Sequence, residues 1–413
     1  MEFIADFHIH SKYSRATSKD MDVAHIAEWA KIKGITLMGT GDFTHHLWLE
    51  ELKHKLEDLG NGLFKYQDIY FILTAEVSSI YSKKGKTYRI HNLIFSPSFK
   101  SVDKINETLS GRGGNLASDG RPILGLDAKE IARIVFDIDE NCMLVPGHIW
   151  TPWFSLFGSM SGFDKIEDCF EEFTPKIFAL ETGLSSDPAM NWRLSALDRF
   201  SLISNSDSHS PSKIGREANV FDCELDYKSI RDVLKTKDKK HFLYTIEFFP
   251  EEGKYHFDGH RNCGIVFSPK ETRQHQGRCP KCGKPVTVGV MNRVEQLADR
   301  AEGYRPGNAI PFKNFIPFEE IIAGAKGVGA GSVGVERDYR AFIARFGTEF
   351  NILLKATEEE LRENLPARIA EGIVRVRQGK ADIRPGFDGE YGKISLFTGE
   401  EKPAKSEEQL KLF

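Results

Sequence analysis

The chain has 413 residues, 40% hydrophobic and 28% charged, an ordinary balance for a globular protein of two or three domains. Its sequence has no apolar run near the ~20 residues that span a bilayer, and its first residues lack the basic and apolar segments of a secretory signal. The net charge of −4 gives no overall attraction to nucleic acid. These features exclude a transmembrane protein, and we expect a cytoplasmic protein with no membrane partner.

Short apolar runs alternate with helical patterns over about residues 1–245. Apolar residues recur at helical spacing from Val23 to Ala30, which predicts a helix that ends at Gly34. Strand-like runs follow at 35–38, 69–77, 90–95, 143–145, 177–180 and 200–204. Strands that alternate with helices predict an α/β fold with a parallel sheet, either open or closed into a barrel.

Polar side chains lie in these runs or directly after them, where α/β barrels place their active sites. The series consists of His8, His10, Asp42, Glu76, His91, His148, Glu181, Asp207 and His209. Two histidines separated by one residue on a strand point to the same face, so His8 and His10 can reach one metal ion. Carboxylates of Glu76 and Asp207 can bridge ions, and the mixed donors favour Zn²⁺, Mn²⁺ or Fe²⁺. Several ions in one cleft suit phosphoester hydrolysis.

The sequence changes character from about 246 to 300. Cys279-Pro-Lys-Cys282 has the two-residue spacing that lets both thiolates bind one ion, and His260 and Cys263 offer a second pair. We therefore predict a structural zinc site formed by His260, Cys263, Cys279 and Cys282, with His256 or His275 as the alternative histidine ligand. Residues 261–293 contain seven basic side chains and one acidic side chain. This excess favours contact with a phosphate backbone, although a purely structural connection between domains would also explain the module.

Residues 301–397 return to a mixed apolar and charged sequence. A helix is predicted at 358–378 and a final strand at 393–397. Residues 398–408 are charged and lack an apolar pattern, which predicts a disordered tail.

The motifs with histidine and carboxylate resemble those of the polymerase-and-histidinol-phosphatase (PHP) superfamily. Its members have a distorted β/α barrel that binds up to three metal ions. The resemblance implies that the metal ligands are His8, His10, Glu76, His91, His148, Asp207 and His209. It gives His8, Glu76 and Asp207 the catalytic roles. Where the superfamily usually has Thr-Asp-His, this chain has Thr40-Gly-Asp42-Phe43, so Asp42 is expected to replace the missing histidine as a ligand. Glu181 could be a ligand, a residue that orients a ligand, or part of the barrel rim.

Longer strings resemble the endonuclease Q family. They are 14–18 (SRATS), 40–44 (TGDFT), 145–154 (VPGHIWTPWF), 258–261 (DGHR) and 292–300 (NRVEQLADR). The resemblance implies a DNA repair endonuclease that cuts 5′ of a deaminated base (uracil, hypoxanthine or xanthine) or an abasic site. It implies a PHP barrel over 1–245, a zinc-binding module over 246–300 and a C-terminal region over 301–397. Zn²⁺ is expected at both kinds of site, with Mg²⁺ or Mn²⁺ as the alternative at the catalytic one.

Two other functions fit parts of the sequence. A small-molecule phosphatase of the histidinol-phosphate type would use the same barrel, but that function would not explain the zinc module or the excess of basic residues at 261–293. A non-catalytic DNA-binding adaptor leaves the complete ligand set unexplained.

Four aromatic residues follow His148, near the predicted ligands: Trp150, Trp153, Phe154 and Phe157. They could stack on an extruded base or pack a loop onto the barrel. Arg15 could hold a phosphate.

The last five residues resemble the short peptide that binds the bacterial sliding clamp. Leu410, Leu412 and Phe413 would fill an apolar pocket, and Gln409 would hydrogen-bond at its edge. The alternatives are a chance pentapeptide and a tail that docks on its own barrel. If the resemblance holds, the clamp keeps the protein on DNA, in association with the nucleoid.

Overall fold

The computed structural model describes residues 1–397, which form a mixed α/β molecule. Eleven of its strands make one sheet, and the others form three two-stranded sheets. The strands are β1 (Glu2–Asp6), β2 (Leu37–Gly39), β3 (Glu57–Asp58), β4 (Phe64–Tyr66), β5 (Ile69–Lys83), β6 (Lys86–Ser96), β7 (Ile123–Leu124), β8 (Met143–Pro146), β9 (Ala179–Glu181), β10 (Ser201–Ile203), β11 (Ala218–Asp222), β12 (Phe242–Glu247), β13 (Asp258–His260), β14 (Ile265–Phe267), β15 (Phe312–Asn314), β16 (Asp382–Arg384) and β17 (Lys393–Ser395).

The helices lie mainly between the barrel strands and in the C-terminal region. They are α1 (Val23–Lys33), α2 (His46–Lys55), α3 (Phe99–Gly111), α4 (Ala128–Ile138), α5 (Ile166–Phe170), α6 (Pro188–Asn191), α7 (Tyr227–Thr236), α8 (Pro269–Gln274), α9 (Val290–Leu297), α10 (Phe318–Lys326), α11 (Val333–Phe346), α12 (Glu358–Asn364) and α13 (Ala367–Arg377). Within residues 1–397, no helix has the length and apolar character needed to cross a membrane.

The first helix is confirmed as the sequence predicts it. The Asp22 side chain accepts a hydrogen bond from the backbone of His25 and caps its start. Gly34 ends it with a φ of 90°, a left-handed conformation that glycine adopts without strain. The predicted helix over 358–378 is wrong in one respect, because Pro366 divides it into α12 and α13. A proline cannot donate the backbone hydrogen bond and clashes with the preceding turn.

The large sheet is mixed rather than parallel throughout. β1 is parallel to β2 and β2 to β5, but β1 is antiparallel to β11. β5 and β6 form a long antiparallel hairpin, because the two residues between them, Lys84 and Gly85, both have positive φ. That geometry matches the twist of a tight hairpin turn. The hairpin matters for function because both of its strands carry predicted ligands.

The sheet does not close into a continuous barrel within residues 1–397. β9 and β10 pair only with each other, as a separate parallel sheet beside the larger one. Side-chain amides connect β10 to the main sheet instead of a backbone ladder. Asn205 accepts a hydrogen bond from the Phe7 backbone at 3.0 Å, and Asn219 donates to the carbonyl of Ser204 at 2.7 Å. The fold is therefore a distorted, open barrel.

The remaining residues are joined to this barrel at several places. β15 adds a parallel strand to β12, which continues the main sheet into the C-terminal region. Lys33 at the end of α1 forms a buried ion pair with Glu349 at 2.6 Å, and Glu349 also accepts the Phe318 backbone N–H. In the cysteine-rich module, β13 and β14 form a hairpin, and Asp388 accepts a hydrogen bond from the backbone of Arg261.

Candidate metal centre

Part of the candidate centre lies at the carboxyl ends of barrel strands, and Glu76 and His91 lie within the longer strands β5 and β6. His8 and His10 follow β1, and the backbone N–H of His10 donates to the Ser208 carbonyl at 2.9 Å. This bond joins the end of β1 to the segment that carries Asp207. His148 follows β8, so residues distant in the sequence meet at one end of the sheet. The placement agrees with the rule for active sites in barrels of this kind.

One group of potential ligands consists of His8, His10, Glu76 and Asp207, with ligand atoms within 4.8 Å of one another. The His10 Nε2 atom lies 3.0 Å from Asp207 Oδ1 and 3.2 Å from Glu76 Oε2. His8 is buried, and its Nε2 has no hydrogen-bond partner among the described residues. A buried, unpartnered imidazole nitrogen among carboxylate oxygens is suited to binding a metal cation.

A second group shares Glu76 with the first and adds His91 and His148. Glu76 Oε1 lies 2.5 Å from His91 Nδ1 and 3.1 Å from His148 Nε2, whereas its other oxygen faces His10. On the β5–β6 hairpin, Glu76 pairs with Leu93, and His91 lies two residues before Leu93 in β6, nearer the hairpin turn. The two side chains are therefore diagonal neighbours. Glu76 is placed to bridge two adjacent ion positions.

Glu181 orients ligands rather than joining either group. Its carboxylate lies 3.0 Å from His8 Nδ1, and it accepts hydrogen bonds from the His148 backbone and the Asn205 amide, both at 2.8 Å. A carboxylate on Nδ1 fixes the tautomer in which Nε2 of His8 is free to bind an ion. Of the roles that the sequence left open for Glu181, its contacts match that of an orienting residue.

Asp42 and His209 are the two predicted ligands that the structure does not bring into either group. Asp42 contacts His10 Nδ1 at 3.1 Å and accepts hydrogen bonds from the backbone and hydroxyl of Ser11 at 2.6 and 2.7 Å. Those contacts orient His10, as Glu181 orients His8. The His209 ring lies 4.4 Å from the His10 ring, centroid to centroid, and is partly exposed. Ligation by Asp42 and by His209 stays a prediction.

The electrostatic field of the centre favours cations. Burial disfavours the charged form of both imidazoles, yet the surrounding carboxylates outweigh it and raise the pKa of His8 and of His10 well above the usual range. Burial would also raise the pKa of Glu76, but the charges of His91, Arg121 and His8 hold it well below its usual range. A field that favours protons on ligand nitrogens equally favours a divalent ion in their place.

Sequence reasoning missed Arg121. Its Nη1 lies 3.1 Å from Glu76 Oε2, so a guanidinium reaches the shared carboxylate of the two ligand groups. Arginine is not a metal ligand, and Arg121 lies in an irregular segment between α3 and β7. The only signal in the sequence is an isolated basic residue after the glycine-containing stretch 111–120.

The four predicted zinc ligands come together in the cysteine-rich module. The donor atoms of His260, Cys263, Cys279 and Cys282 lie within 4.8 Å of one another. His275 instead stacks on Phe267 with ring centroids 4.6 Å apart. His256 is buried and lies outside the group. His260 is therefore the histidine with the geometry of a fourth ligand.

The aromatic residues after His148 divide into two kinds. Trp150 and Phe157 are buried against each other, with ring centroids 5.0 Å apart, and they belong to the core. The Phe154 ring lies 4.8 Å from the His91 ring, next to the second ligand group. Trp153 is 37% exposed and contacts Tyr255 of the cysteine-rich module edge to face. Core packing thus accounts for Trp150 and Phe157, whereas Phe154 borders the centre and Trp153 is partly exposed to solvent.

Comparison with solved structures decides the family. The chain superimposes on the lesion-specific endonuclease PfuEndoQ from Pyrococcus furiosus with a TM-score of 0.87 and 32% identity over the full length of both chains. An endonuclease Q in complex with a 27-mer duplex, with an abasic lesion at the active site, gives a TM-score of 0.85 and 33% identity, covering 99% of this chain and 100% of that one. The chain belongs to the endonuclease Q family.

Two curated relatives of this endonuclease Q family member differ in length. YqxK of Bacillus subtilis is 30% identical, and the match covers 94% of this chain and 98% of YqxK. MJ0043 of Methanocaldococcus jannaschii is 34% identical over 303 residues, but the match spans 69% of this chain and only 36% of that protein. Residues 317–380 match the family model of the MJ0043 C-terminal domain. That match covers α10–α13.

Proposed function

We propose that the protein is a metal-dependent DNA repair endonuclease that hydrolyses the phosphodiester bond 5′ of a deaminated base or an abasic site. The observation that carries the proposal is the pair of ligand groups sharing Glu76, in a chain whose whole length matches endonuclease Q. The proposed bases are uracil, hypoxanthine and xanthine. Cleavage on the 5′ side would leave a 3′-hydroxyl for a polymerase and keep the lesion on the 5′-phosphorylated end.

The residues of the centre fit two or more divalent ions. His8, His10, Glu76 and Asp207 would hold one ion, and Glu76, His91 and His148 would hold a neighbouring one. Asp42 and His209 would contribute further. Bound ions of this kind activate water as a nucleophile and neutralise negative charge on phosphate oxygens. Zn²⁺ suits the donors, with Mg²⁺ or Mn²⁺ as the alternative.

The ligand candidates of this centre differ in their exposure to solvent. His8, His10 and Glu76 are at most 1% exposed, whereas the side chain of Asp207 is 26% exposed and lies at the open side. A phosphodiester would approach from the side of Asp207 and His209, because the other ligand candidates are covered. The exposed Asp207 is placed to meet the phosphodiester, and with His8 and Glu76, to which the PHP resemblance gives the same role, it completes the proposed catalytic set.

The cysteine-rich module would bind a structural Zn²⁺ through His260, Cys263, Cys279 and Cys282. Three thiolates and one imidazole are a common donor set for closed tetrahedral zinc. Residues 261–293, which include the three cysteines, carry seven basic side chains and one acidic one, and we propose that the basic side chains contact the DNA backbone. Trp153 touches Tyr255 of the module, so the module lies beside the loop that borders the centre.

The proposed clamp-binding motif, residues 409–413, lies outside the described residues. Its proposed role is to hold the enzyme on newly replicated DNA in the nucleoid. The proposal rests on the sequence alone.

End-labelled duplexes that carry uracil, hypoxanthine, xanthine or an abasic site would test the proposed function. The metal-loaded protein should nick the lesion strand immediately 5′ of each lesion, leave the undamaged duplex intact and lose activity in EDTA. Hydrolysis of histidinol phosphate without nicking of any duplex would establish the phosphatase alternative and refute the proposal. Sequencing-gel mobility of the labelled fragments gives the position of the cut to one nucleotide.

A further inference from the structure

Two arginines border the metal centre on one side, at the segments 11–18 and 112–122. The guanidinium of Arg121 reaches Glu76, and its side chain is 28% exposed. The side chain of Arg15 is 74% exposed and faces solvent. One cation thus points into the centre and another stands outside it. We call Arg15 and Arg121, together with Asp119, the arginine rim.

Asp119 fixes both arginines. Its Oδ1 accepts the backbone N–H of Arg15 and the backbone N–H of Arg121, each at 3.2 Å. Its Oδ2 lies 3.3 Å from Nε of Arg15. The carboxylate of Asp119 is itself mostly buried, with 12% of its side chain exposed. A single carboxylate therefore sets the spacing between the two cationic residues.

The segment with Arg121 is anchored closely against the centre. Gly120 donates its N–H to the Tyr13 carbonyl at 3.0 Å, and its own carbonyl accepts the Thr44 hydroxyl at 3.1 Å. A Cβ at position 120 would lie 2.2 Å from Asp42 Oδ2 and 2.4 Å from Ser14 Oγ. Only glycine permits this close approach. Arg121 is consequently held by a rigid backbone.

Neutralising the charge of the Glu76 carboxylate would by itself explain the position of Arg121. It does not explain Arg15, which is exposed, points outward and is nevertheless fixed through both its backbone and its side chain by the carboxylate that also holds Arg121. Lys12, the neighbouring cation, has a separate partner in Glu51 at 2.7 Å. A guanidinium binds two oxygens of a phosphate through its planar fork.

We propose that the arginine rim binds the DNA backbone at the cut site. Arg121 binds a non-bridging oxygen of the scissile phosphodiester, and Arg15 binds the phosphate next to it on the same strand. The inference rests on the proposed function, since it requires a DNA strand in the centre. Both residues would touch the substrate and place the scissile bond over the ligand groups.

Equilibrium binding tests Arg15 without relying on catalysis. Fluorescence anisotropy with the metal-loaded full chain, and a labelled duplex whose stable abasic analogue carries a non-hydrolysable bridging phosphonate on its 5′ side, measures affinity while the strand stays intact. Each duplex of a series carries one uncharged methylphosphonate at a different position near the lesion. Arg15→Ala should weaken binding of the all-phosphate duplex about tenfold and lower the salt-dependence slope by about one. With the methylphosphonate at the contacted phosphate, wild type and variant should bind equally.

Lys31→Ala is the matched control. Lys31 is 71% exposed and pairs with Asp68, as Arg15 pairs with Asp119, but it lies at the end of α1, away from the carboxyl ends of the strands. Its loss should change neither affinity nor slope. If Arg15→Ala weakens every duplex by the same factor, or weakens none, the role of Arg15 is refuted.

Arg121→Lys keeps the positive charge and removes the planar guanidinium that can donate two parallel hydrogen bonds to a phosphate. Under single-turnover conditions it should lower the maximal nicking rate at least tenfold and leave the enzyme concentration for half-maximal rate within about twofold, with an unchanged melting temperature. An unchanged maximal rate would refute the role of Arg121. If the wild type binds the lesion duplex no better than an undamaged one and cuts neither, the proposed function fails and the inference with it. Normal lesion nicking by both arginine variants refutes the inference alone.

Discussion

Three of the predicted ligands have strained backbones. Asp42, His148 and Asp207 have φ angles of 48°, 27° and 45°, in the left-handed region that residues other than glycine rarely adopt. Such a conformation costs about 1–3 kcal/mol and persists only where neighbours enforce it. A hydrogen bond from the Ser11 backbone N–H to the Asp42 carboxylate and one from Arg216 to the Asp207 carbonyl supply part of that enforcement. The strain directs these three side chains toward the centre.

Replacing Asp207 by Asn should abolish nicking and preserve the fold. Asparagine keeps the shape of the side chain, but the charge that attracts a cation next to His10 is lost. We expect nicking to fall by more than about 100-fold, since losing even an outer partner of a ligand costs 10–100-fold. Single-turnover assays would measure this, with Asp68→Asn as a control for an exposed aspartate at the opposite end of the sheet. A near-normal rate would refute the assignment of Asp207.

Glu247 gives a prediction about pH. It is fully buried at the end of β12, and burial raises its pKa to about 8. The Glu247 carboxyl group binds its proton more tightly in the folded state than in the unfolded state. Its contribution to the free energy of unfolding is therefore fully present below pH 4.5 and is lost as the pH rises to about 8. Glu247→Gln, which does not titrate, should gain several degrees of melting temperature relative to wild type between pH 5 and 8.5. If the melting temperatures of wild type and Glu247→Gln differ by the same amount at pH 5 and at pH 8.5, the raised pKa of Glu247 is contradicted.

At the scale of elements, periodicity and spacing predict much of the barrel but not its closure. The strand runs and the Gly34 helix end follow from local signals, and so do the His8 and His10 positions after β1. The antiparallel β5–β6 hairpin brings Glu76 beside His91 through cross-strand pairing. No local sequence pattern predicts that pairing. The contact of Arg121 with Glu76 depends likewise on how an irregular segment folds back. Non-local contacts of this kind are decided by tertiary packing.

The cysteine-rich module should depend on its ion for stability. Its own core is small, with Phe267, Cys279 and Val286 as the buried members, so hydrophobic burial alone is weak there. Cys279→Ser should lower the melting temperature and weaken DNA binding, because losing a thiolate removes folding free energy supplied by zinc. The barrel ions should stay in place.

Elemental analysis checks the zinc assignment directly. The double variant Cys279→Ser, Cys282→Ser should contain one zinc per chain fewer than wild type. The matched control is Cys142→Ser together with Cys169→Ala, two buried cysteines outside the group, which should leave zinc content unchanged. Equal zinc in wild type and the double variant would show that the module holds none.

At the scale of the whole molecule, the barrel, the module and the C-terminal region form one continuous structure over residues 1–397. The β12–β15 pairing and the buried Lys33–Glu349 ion pair join the barrel to the C-terminal region. The Asp388 hydrogen bond to Arg261 joins that region to the module. A duplex bound at the centre would therefore meet groups from more than one part of the chain.

Deleting residues 409–413 tests the proposed clamp partner. The truncation should eliminate binding to the bacterial sliding clamp and leave nicking of a short oligonucleotide duplex unchanged, because the proposed role of the clamp is only to retain the enzyme on long DNA. Surface plasmon resonance with immobilised clamp measures the first effect. Undiminished clamp binding by the truncated chain would remove this partner and leave the nuclease proposal intact.

The central claim is that the two ligand groups sharing Glu76 would hold the metal ions with which the protein cuts DNA at a lesion. The most direct measurement is the single-turnover nicking rate of an abasic duplex and of its undamaged counterpart, for wild type and Glu76→Gln, with the metal content of each protein determined in the same preparation. We predict that wild type nicks only the abasic duplex, 5′ of the lesion. Glu76→Gln should stay folded, hold fewer barrel ions and nick at least 100-fold more slowly. Full nicking by Glu76→Gln, or equal cutting of both duplexes by wild type, would contradict the account.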